Sequence, residues 1–199
     1  MNRLNDDGSF SRYVSTSPIS TQGPSTNHVL QIIEDKQGII WLAAYGGGIN
    51  RFDPLTETFT HIQNIEGDTT SLSSDLAWIL YLDSNENLWV GTQAAGINIL
   101  NKQAIDSQEF RFEHLNSKDG MKSQTAYGIN EDKQGNIWFS SNKGISQYSP
   151  LFKRFKHFDT SHGLRDLEYN HGVVFSGFDK TLYFGSAKGF ISIHPDSVS

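Results

Sequence analysis

The chain contains no cysteine among its 199 residues. Disulfide bonds, thiol chemistry and cysteine-based zinc sites are therefore excluded. The absence fits a cytoplasmic or a periplasmic location equally well. The chain also has no run of lysine or arginine, and its formal net charge is −6. We therefore do not expect nucleic acid as a partner, and the mild acidity indicates a well-solvated surface.

Long apolar segments are absent as well. No stretch of the sequence approaches the roughly 20 apolar residues that a transmembrane helix requires, and residues 1–5 lack the apolar core of a secretory signal. We therefore expect no membrane contact from these residues themselves. Two explanations stay open: the protein is cytosolic, or the chain is a piece of a longer one.

One pattern recurs along the chain. An aspartate-containing turn leads into a short apolar stretch with an aromatic residue, and a glycine then precedes a second apolar stretch. The aromatic residues are Trp41, Trp89, Trp138 and Tyr183, at spacings of 48, 49 and 45 residues. The glycines are Gly48, Gly96, Gly144 and Gly189. A period of roughly 40–50 residues built from strands and turns is typical of β-propeller blades.

The repeats predict an all-β fold, namely a single partial β-propeller of about four blades, each a four-stranded antiparallel sheet. No helix is predicted anywhere. The blades are assigned to residues 25–62, 73–115 and 123–158, with an incomplete last blade at 168–195. Residues 1–14 match the outer strands of a blade that would precede the first one.

The incomplete last blade predicts an unpaired sheet edge, and such an edge seeks a partner strand. Residues 9–14 could complete this blade within the same chain, which would give a small ring of about four blades. They could instead complete it in a second copy, which would give a two-chain ring of about eight blades. Self-association through unpaired blade edges is therefore an expected interaction.

The recurring aromatic and glycine residues are best explained by structure. Stacked sheets lie about 10 Å apart, so a residue that packs between two blades must be broad and flat. The alternative role of the tryptophans is to provide a surface on which a sugar stacks. Gly46, Gly47 and Gly48 are not followed by the Lys-Ser/Thr pair of a phosphate loop. The recurring aspartates occupy turns, where the side chain bonds its own backbone.

Neither a metal nor a cofactor is expected. Residues 83–87 resemble the start of a calcium loop, but Leu88 stands in the place of the required glycine. Three histidines occupy equivalent places on separate blades, too far apart to share a metal, and we expect them to face solvent. These histidines are His61, His114 and His157.

No catalytic residue is assigned. A Gly-x-Ser-x-Gly elbow is absent, no helix is predicted that could hold one, and no carboxylate pair stands out beyond the turn aspartates. An enzyme of the lyase or hydrolase type on a propeller is therefore the least favoured of the functional hypotheses.

A small ligand is expected to bind where loops from several blades converge near the central shaft. These loops enter each first strand or join the second strand to the third. Their aromatic and polar side chains suit a polyhydroxylated ligand such as an oligosaccharide, although they could also simply line a hydrated shaft. The candidates are Asn27, His28, Tyr45, Asp75, Trp78, Gln93, Gln124, Tyr127, Asn142, Tyr169, Asn170, His171 and Lys188.

The repeat resembles that of a known family. Residues 33–41, Ile-Glu-Asp-Lys-Gln-Gly-Ile-Ile-Trp, followed by Gly-Ile-Asn-Arg-Phe at 48–52, resemble the two-component regulator propeller repeat. Leu-Trp-Val-Gly-Thr at 88–92 resembles its second stretch. The copy at 129–144 departs from it at Ser140, which replaces glycine. Residues 163–172, Gly-Leu-Arg-Asp-Leu-Glu-Tyr-Asn-His-Gly, resemble the closing blade of these sensors.

The resemblance implies the C-terminal half of a sensor propeller, of about seven blades in this family. It places the chain in the periplasmic portion of an inner-membrane protein. There the propeller would detect a ligand derived from a glycan and pass a signal to a histidine kinase or a GGDEF-type cyclase. The alternative is a propeller scaffold for protein interaction or dimerisation without a small ligand.

Overall fold

The structure is a computed structural model that describes residues 1–17, 20–165 and 167–198. Asp166 of the closing-blade motif lies outside the described residues. The strands form a two-stranded sheet followed by three four-stranded sheets and one three-stranded sheet, all antiparallel. The predicted all-β propeller of about four blades is therefore confirmed.

The sheets follow one another along the chain. The two-stranded sheet is β1 (Asn2–Leu4) and β2 (Phe10–Arg12). The first blade is β3 (Val29–Glu34), β4 (Ile40–Ala44), β5 (Ile49–Asp53) and β6 (Thr58–Ile62). The second is β7 (Ala77–Leu82), β8 (Leu88–Thr92), β9 (Ile97–Leu100) and β10 (Glu113–Leu115). The third is β11 (Gly128–Glu131), β12 (Ile137–Ser141), β13 (Gly144–Ser149) and β14 (Arg154–Phe158). The fourth is β15 (Tyr169–Ser176), β16 (Leu182–Ser186) and β17 (Gly189–Ile193). The first strands of successive blades are neighbours.

The prediction that the chain has no helix is wrong. A short helix, α1 (Lys102–Ser107), lies between β9 and β10. The side chain of Asn101 caps its first turn by accepting a hydrogen bond from the Ala104 amide. Ala104 and Ile105 pack against the core between the first two blades. Single 3₁₀ turns also occur at Ser117–Asp119, Thr160–His162 and Pro195–Ser197.

In each of the first three blades, the aspartate of the repeat joins its turn to the tryptophan six residues later. Oδ1 of Asp35 accepts hydrogen bonds from the amides of Gln37 and Ile39, while Oδ2 accepts one from Nε1 of Trp41 at 2.9 Å. The corresponding distance is 2.9 Å in the second blade and 2.7 Å in the third. In the fourth blade a tyrosine replaces the tryptophan, and the aspartate accepts from the hydroxyl of Thr181 instead. The repeated spacing therefore encodes a local structural unit.

The tryptophan of each of the first three blades packs against the following blade. Trp41 lies in one apolar cluster with Ala77 and Leu80 of the second blade. Trp138 similarly packs with Leu182 and Phe184 of the fourth blade. These contacts bury the sheet faces that a single blade would leave exposed.

The two-stranded sheet precedes the first blade and does not complete the last one. The ring of Tyr13, next to β2, lies 5.0 Å from the ring of Phe52 and 5.7 Å from that of Phe59. Strand β2 pairs with β1, and the described fourth blade has three strands. The hypothesis that residues 9–14 close a four-bladed ring within one chain is therefore wrong, because these residues belong to the opposite end of the stack.

The three outer-strand histidines are partly buried, so the prediction that they face solvent is wrong. Each Nε2 donates to the carbonyl oxygen of the loop that enters the same blade, at 2.9 Å. His61 contacts Gly23, His114 contacts Ser71, and His157 contacts Gly120. A carbonyl oxygen only accepts hydrogen bonds, so Nε2 carries a proton. Each histidine thus fastens the entry loop of a blade to its outermost strand.

We expect the third blade to lose stability in mild acid because of the hydrogen bond from His157 to the Gly120 carbonyl. Burial lowers the pKa of His157 from the ordinary value of 6.5. Its folded-state pKa therefore lies below its unfolded-state pKa, so the unfolded chain binds the proton more readily. The stability that His157 contributes is present above its unfolded-state pKa and is lost as the pH falls through its folded-state pKa. We expect the melting temperature to fall more between about pH 7.5 and about pH 5.5 in the wild type than in His157→Gln. Equal pH dependences of the two proteins would contradict this role.

Candidate functional site

Aromatic side chains from all four blades meet at one end of the stack, where the first strand of each blade begins and the second strand ends. Three of them come from the first two blades, one from the third and one from the fourth. We call this group the shaft-mouth cluster: His28, Tyr45, Trp78, Tyr127 and His171. All five were predicted as ligand-binding residues, and the structure brings them together.

The rings form a continuous series centred on Trp78. The Trp78 ring lies 6.2 Å from Tyr45, 5.5 Å from Tyr127 and 5.2 Å from His171, measured between ring centroids. The His28 ring extends the series, at 5.3 Å from Tyr45. The Trp78 and Tyr127 planes are inclined by 37°. The cluster therefore presents several aromatic surfaces at different angles within a short distance.

Polar groups lie beside these rings. The hydroxyl of Tyr45 donates to Oε1 of Gln93 at 2.7 Å, and the hydroxyl of Thr125 donates to the Gln93 carbonyl. Nε1 of Trp78 is shielded and has no hydrogen-bond partner among the described residues. Gln93 was predicted as a site residue, whereas Thr125 was missed because no repeated pattern marks its position.

The fourth blade reaches the cluster through an irregularity in β15. The pairing register between β15 and β16 shifts between Tyr169 and Val174, which is the signature of a bulge. Within it, Nε2 of His171 donates to the Trp78 carbonyl at 2.7 Å. The amide of Gly172 donates to the Tyr127 carbonyl at 2.8 Å. Gly172 has a φ of +73°, which favours glycine at this position. The bulge therefore connects the fourth blade directly to the second and third.

Several other predicted site residues bond to loops instead of pointing into the cluster. Asn27 binds Ser15, Asn142 accepts from Ser123, and Gln124 donates to Ser117. Asp75 accepts hydrogen bonds from the amides of Asn64, Gly46 and Gly48. These contacts hold loops together within or between blades.

The remaining three predicted residues belong to the fourth blade. Tyr169 is buried in the core against Phe184, so its predicted place at the ligand site is wrong. Asn170 is exposed beside His171, and Lys188 is exposed at the turn between β16 and β17. Only Asn170 of these lies next to the cluster in the chain.

The arrangement is suited to binding. Aromatic faces can stack on a sugar ring or another flat apolar surface, while the neighbouring amide and hydroxyl groups can exchange hydrogen bonds with a ligand. Within the described part of the chain, no group of three histidine, aspartate or glutamate side chains is placed to hold a metal ion.

Comparison with known proteins supports the interpretation of the repeat. Residues 23–46 and 120–143 match the family model of the two component regulator propeller. These two segments are therefore similar to the two component regulator propeller repeat. The matched segments contain the aspartate–tryptophan units of the first and third blades, together with the loops that enter those blades.

Relatives of this propeller are much longer proteins. The chain is 26% identical to histidine kinase P4 of Formosa agariphila over an alignment of 210 positions, which covers 83% of this chain and 15% of that protein. It is 27% identical to the extracellular domain of a putative hybrid two component system from B. thetaiotaomicron, with a TM-score of 0.73, covering 86% of this chain and 22% of that one. A second such domain from the same organism is 23% identical, with a TM-score of 0.80, and the match covers 98% of this chain and 26% of that one. This likeness supports the propeller fold.

The chain thus spans a quarter or less of the first two of these relatives. Among the residues that the structure describes, no helix has the length and apolarity needed to cross a bilayer.

Proposed function

We propose that this propeller is the ligand-sensing part of a membrane-bound signal transduction protein, located in the periplasm and attached to the inner membrane. The shaft-mouth cluster is the observation that carries the proposal, because it draws binding side chains from all four blades. The likeness to a histidine kinase and to extracellular domains of two-component systems supports the signalling role. It favours a kinase output over a GGDEF-type cyclase output.

The proposed ligand is an oligosaccharide derived from a glycan. Trp78 and Tyr127 offer two inclined aromatic surfaces, and the Gln93 amide and Tyr45 hydroxyl lie at their edge. A sugar has apolar ring faces and peripheral hydroxyl groups, so one molecule could use both kinds of contact. The shielded Nε1 of Trp78 is a further hydrogen-bond donor that local side-chain movement could offer to such a ligand.

The fourth blade provides a route for the signal. His171 and Gly172 bond to backbone carbonyls of the second and third blades beside the aromatic surfaces. A ligand that displaced either bond would change the position of the fourth blade relative to the others. Binding and blade geometry would then be coupled by the difference in ligand affinity between the two arrangements.

The proposal is tested by thermal melting of the chain alone and with a panel of acidic and neutral oligosaccharides. A ligand that binds only the folded state stabilises it by about 2.7 kcal/mol at a hundredfold excess over Kd. We expect one sugar class to raise the melting temperature of the wild type. A cooperative melt that does not shift with any sugar would argue against a sugar site in these blades.

A second candidate function is a protein-interaction scaffold without a small ligand. The observation in its favour is the open face of the fourth blade, where Phe175 is 62% exposed and Phe190 is 70% exposed. The equivalent positions in the second blade, Tyr81 and Ile97, pack in one apolar cluster with residues of the third blade. A wild type that binds no sugar but associates through this face would favour the scaffold.

A further inference from the structure

An open groove lies between the second and third blades, at the end of the stack opposite the shaft-mouth cluster. It is formed by the turns that join the first strand to the second and the third strand to the fourth. The groove holds a cavity of about 340 Å³, which is within the range of small-molecule sites. Trp89 and Tyr148 form its floor, and Asn85, Glu113 and Lys153 lie on its walls. We call this feature the inter-blade groove.

The equivalent positions on either side of the inter-blade groove are covered. Between the first and second blades, Ile105 of α1 packs on the cluster that contains Trp41. The cavity that remains beside α1 measures about 150 Å³. Between the third and fourth blades, the chain turns at Pro195–Ser197, and Val198 packs on the cluster that contains Trp138. In both cases the covering segment follows the third strand of the later blade.

The inter-blade groove stays open because the third blade lacks such a covering segment. Residues 150–153 form a tight turn between β13 and β14, whereas residues 101–112 connect β9 to β10 and include α1. Ser149 pairs with Arg154 at the base of the tight turn. A turn of this length cannot cover Trp89 in the way that α1 covers Trp41.

The hydroxyl of Tyr148 is a hydrogen-bonding group without a protein partner in this groove. The residue is 5% exposed, and its ring lies 6.1 Å from that of Trp89. Burial raises the pKa of Tyr148 above the ordinary value of 10.0, so the hydroxyl keeps its proton. Within the described ranges, no group hydrogen-bonds to this hydroxyl. Buried polar groups usually have a partner, so the hydroxyl is available to a molecule in the cavity.

The walls of the groove carry further groups that can form hydrogen bonds with a ligand. Glu113 comes from the second blade and Lys153 from the third, and neither forms an ion pair with another described residue. The opposite charges balance, so the groove does not select for an anion or for a cation. A carboxylate accepts hydrogen bonds, an ammonium group donates them, and the Asn85 amide can do both. This combination suits a neutral molecule with several hydroxyl groups.

We propose that the inter-blade groove is a second ligand site, which binds one neutral sugar unit through its hydroxyl groups. Trp89 is only 2% exposed, so its ring is not offered for stacking. Recognition depends instead on hydrogen bonds to Tyr148 and to the side chains on the walls. The site lies at the opposite end of the stack and does not rest on the shaft-mouth cluster.

The test follows the indole N–H signals of the four tryptophans in nuclear magnetic resonance spectra of the whole chain. D-glucose, D-galactose and D-mannose are added in separate titrations. Nε1 of Trp89 donates to Asp83, which also lines the groove, so this signal reports the site. We expect at least one sugar to shift the Trp89 signal saturably, with a roughly millimolar Kd. The signals of Trp41 and Trp138 lie under covered positions and should not move, while Trp78 reports the shaft-mouth cluster.

A conservative variant tests the role of the hydroxyl. Tyr148→Phe removes a group that has no partner among the described residues, so we expect an unchanged melting temperature and a Kd weakened by about three- to tenfold. Tyr183→Phe is the matched control, because it removes a tyrosine hydroxyl from β16 of the fourth blade, outside the groove. Its sugar Kd should equal that of the wild type.

Three results would overturn the proposal. One is a Trp89 signal that does not shift saturably with any of the three sugars up to about 100 mM. Another is an equal shift of all four indole signals, which would indicate unspecific binding. The third is an unchanged Kd in Tyr148→Phe. Because Trp78 and Trp89 report the two sites separately, failure at the inter-blade groove leaves the shaft-mouth site to its own melting experiment.

Discussion

Replacing Trp138 by alanine is expected to lower the free energy of unfolding by about 3–5 kcal/mol. The side chain is fully buried, and its ring stacks on Phe158 with centroids 5.4 Å apart and planes inclined by 13°. Its Nε1 also donates to Asp132 at 2.7 Å. The substitution would leave a cavity between the third and fourth blades and remove the bond to the turn. Urea denaturation measures the change, which corresponds to a fall of roughly 6–20 °C in melting temperature.

Two further variants separate the causes of this loss. Trp138→Phe keeps an aromatic ring but removes the indole N–H, so we expect a smaller loss of about 1–3 kcal/mol. Phe178→Ala removes an aromatic side chain that is fully exposed, and should change the unfolding free energy by less than about 0.5 kcal/mol. If Trp138→Ala were no more destabilising than Phe178→Ala, the tryptophan would not be holding the blades together.

Replacing Trp78 by alanine is expected to weaken oligosaccharide binding by about thirtyfold or more, which corresponds to roughly 2 kcal/mol. Trp78 is the centre of the shaft-mouth cluster and contacts the rings of Tyr45, Tyr127 and His171. Its loss would remove the main stacking surface and release the neighbouring rings. Titration calorimetry with the sugar that shifts the wild-type melting temperature measures the change in Kd.

Phe175→Ala is the matched control for this experiment. Phe175 lies in β15, the same strand as His171, but is exposed on the open face of the fourth blade. We expect its removal to leave the sugar Kd unchanged. If both variants lost affinity equally, the sugar site would not be the shaft-mouth cluster.

The local part of the blade could be predicted from the sequence. Asp35 and Trp41 are six residues apart, and the turn, the strand and the bond between their side chains all form within that segment. The same spacing recurs in the second and third blades. The exception is α1: Asn101 is a recognisable cap, but the six-residue helix it precedes is too short to show a clear apolar period.

The hydrogen bonds from the outer-strand histidines to the entry loops could not be predicted in the same way. His61 and His157 follow a strand pattern that is also compatible with solvent exposure. Their carbonyl partners lie 38 and 37 residues earlier in the chain. Only the closure of each blade brings the entry loop and the outer strand together.

The candidate site was likewise predicted only in part from the sequence. The sequence predicted which loops converge and named all five aromatic residues of the shaft-mouth cluster, because every repeat places these loops at the same end of its sheet. It did not separate Trp78, which lies at the centre of the cluster, from Tyr169, which is buried in the core. A strand changes the facing of its side chains with every one-residue shift in register, and the pairing register shifts both in β7 between Ala77 and Ile79 and in β15 between Tyr169 and Val174.

By itself, the sequence determined the repeat, the strands and the all-β blade architecture, because hydrophobic periodicity and turn chemistry act over a few residues. Only the tertiary structure decided which polar and aromatic side chains meet. The contact between His171 and Trp78 joins residues 93 positions apart. It depends on the packing of blades two, three and four and on the local bulge, which sets the direction of one side chain.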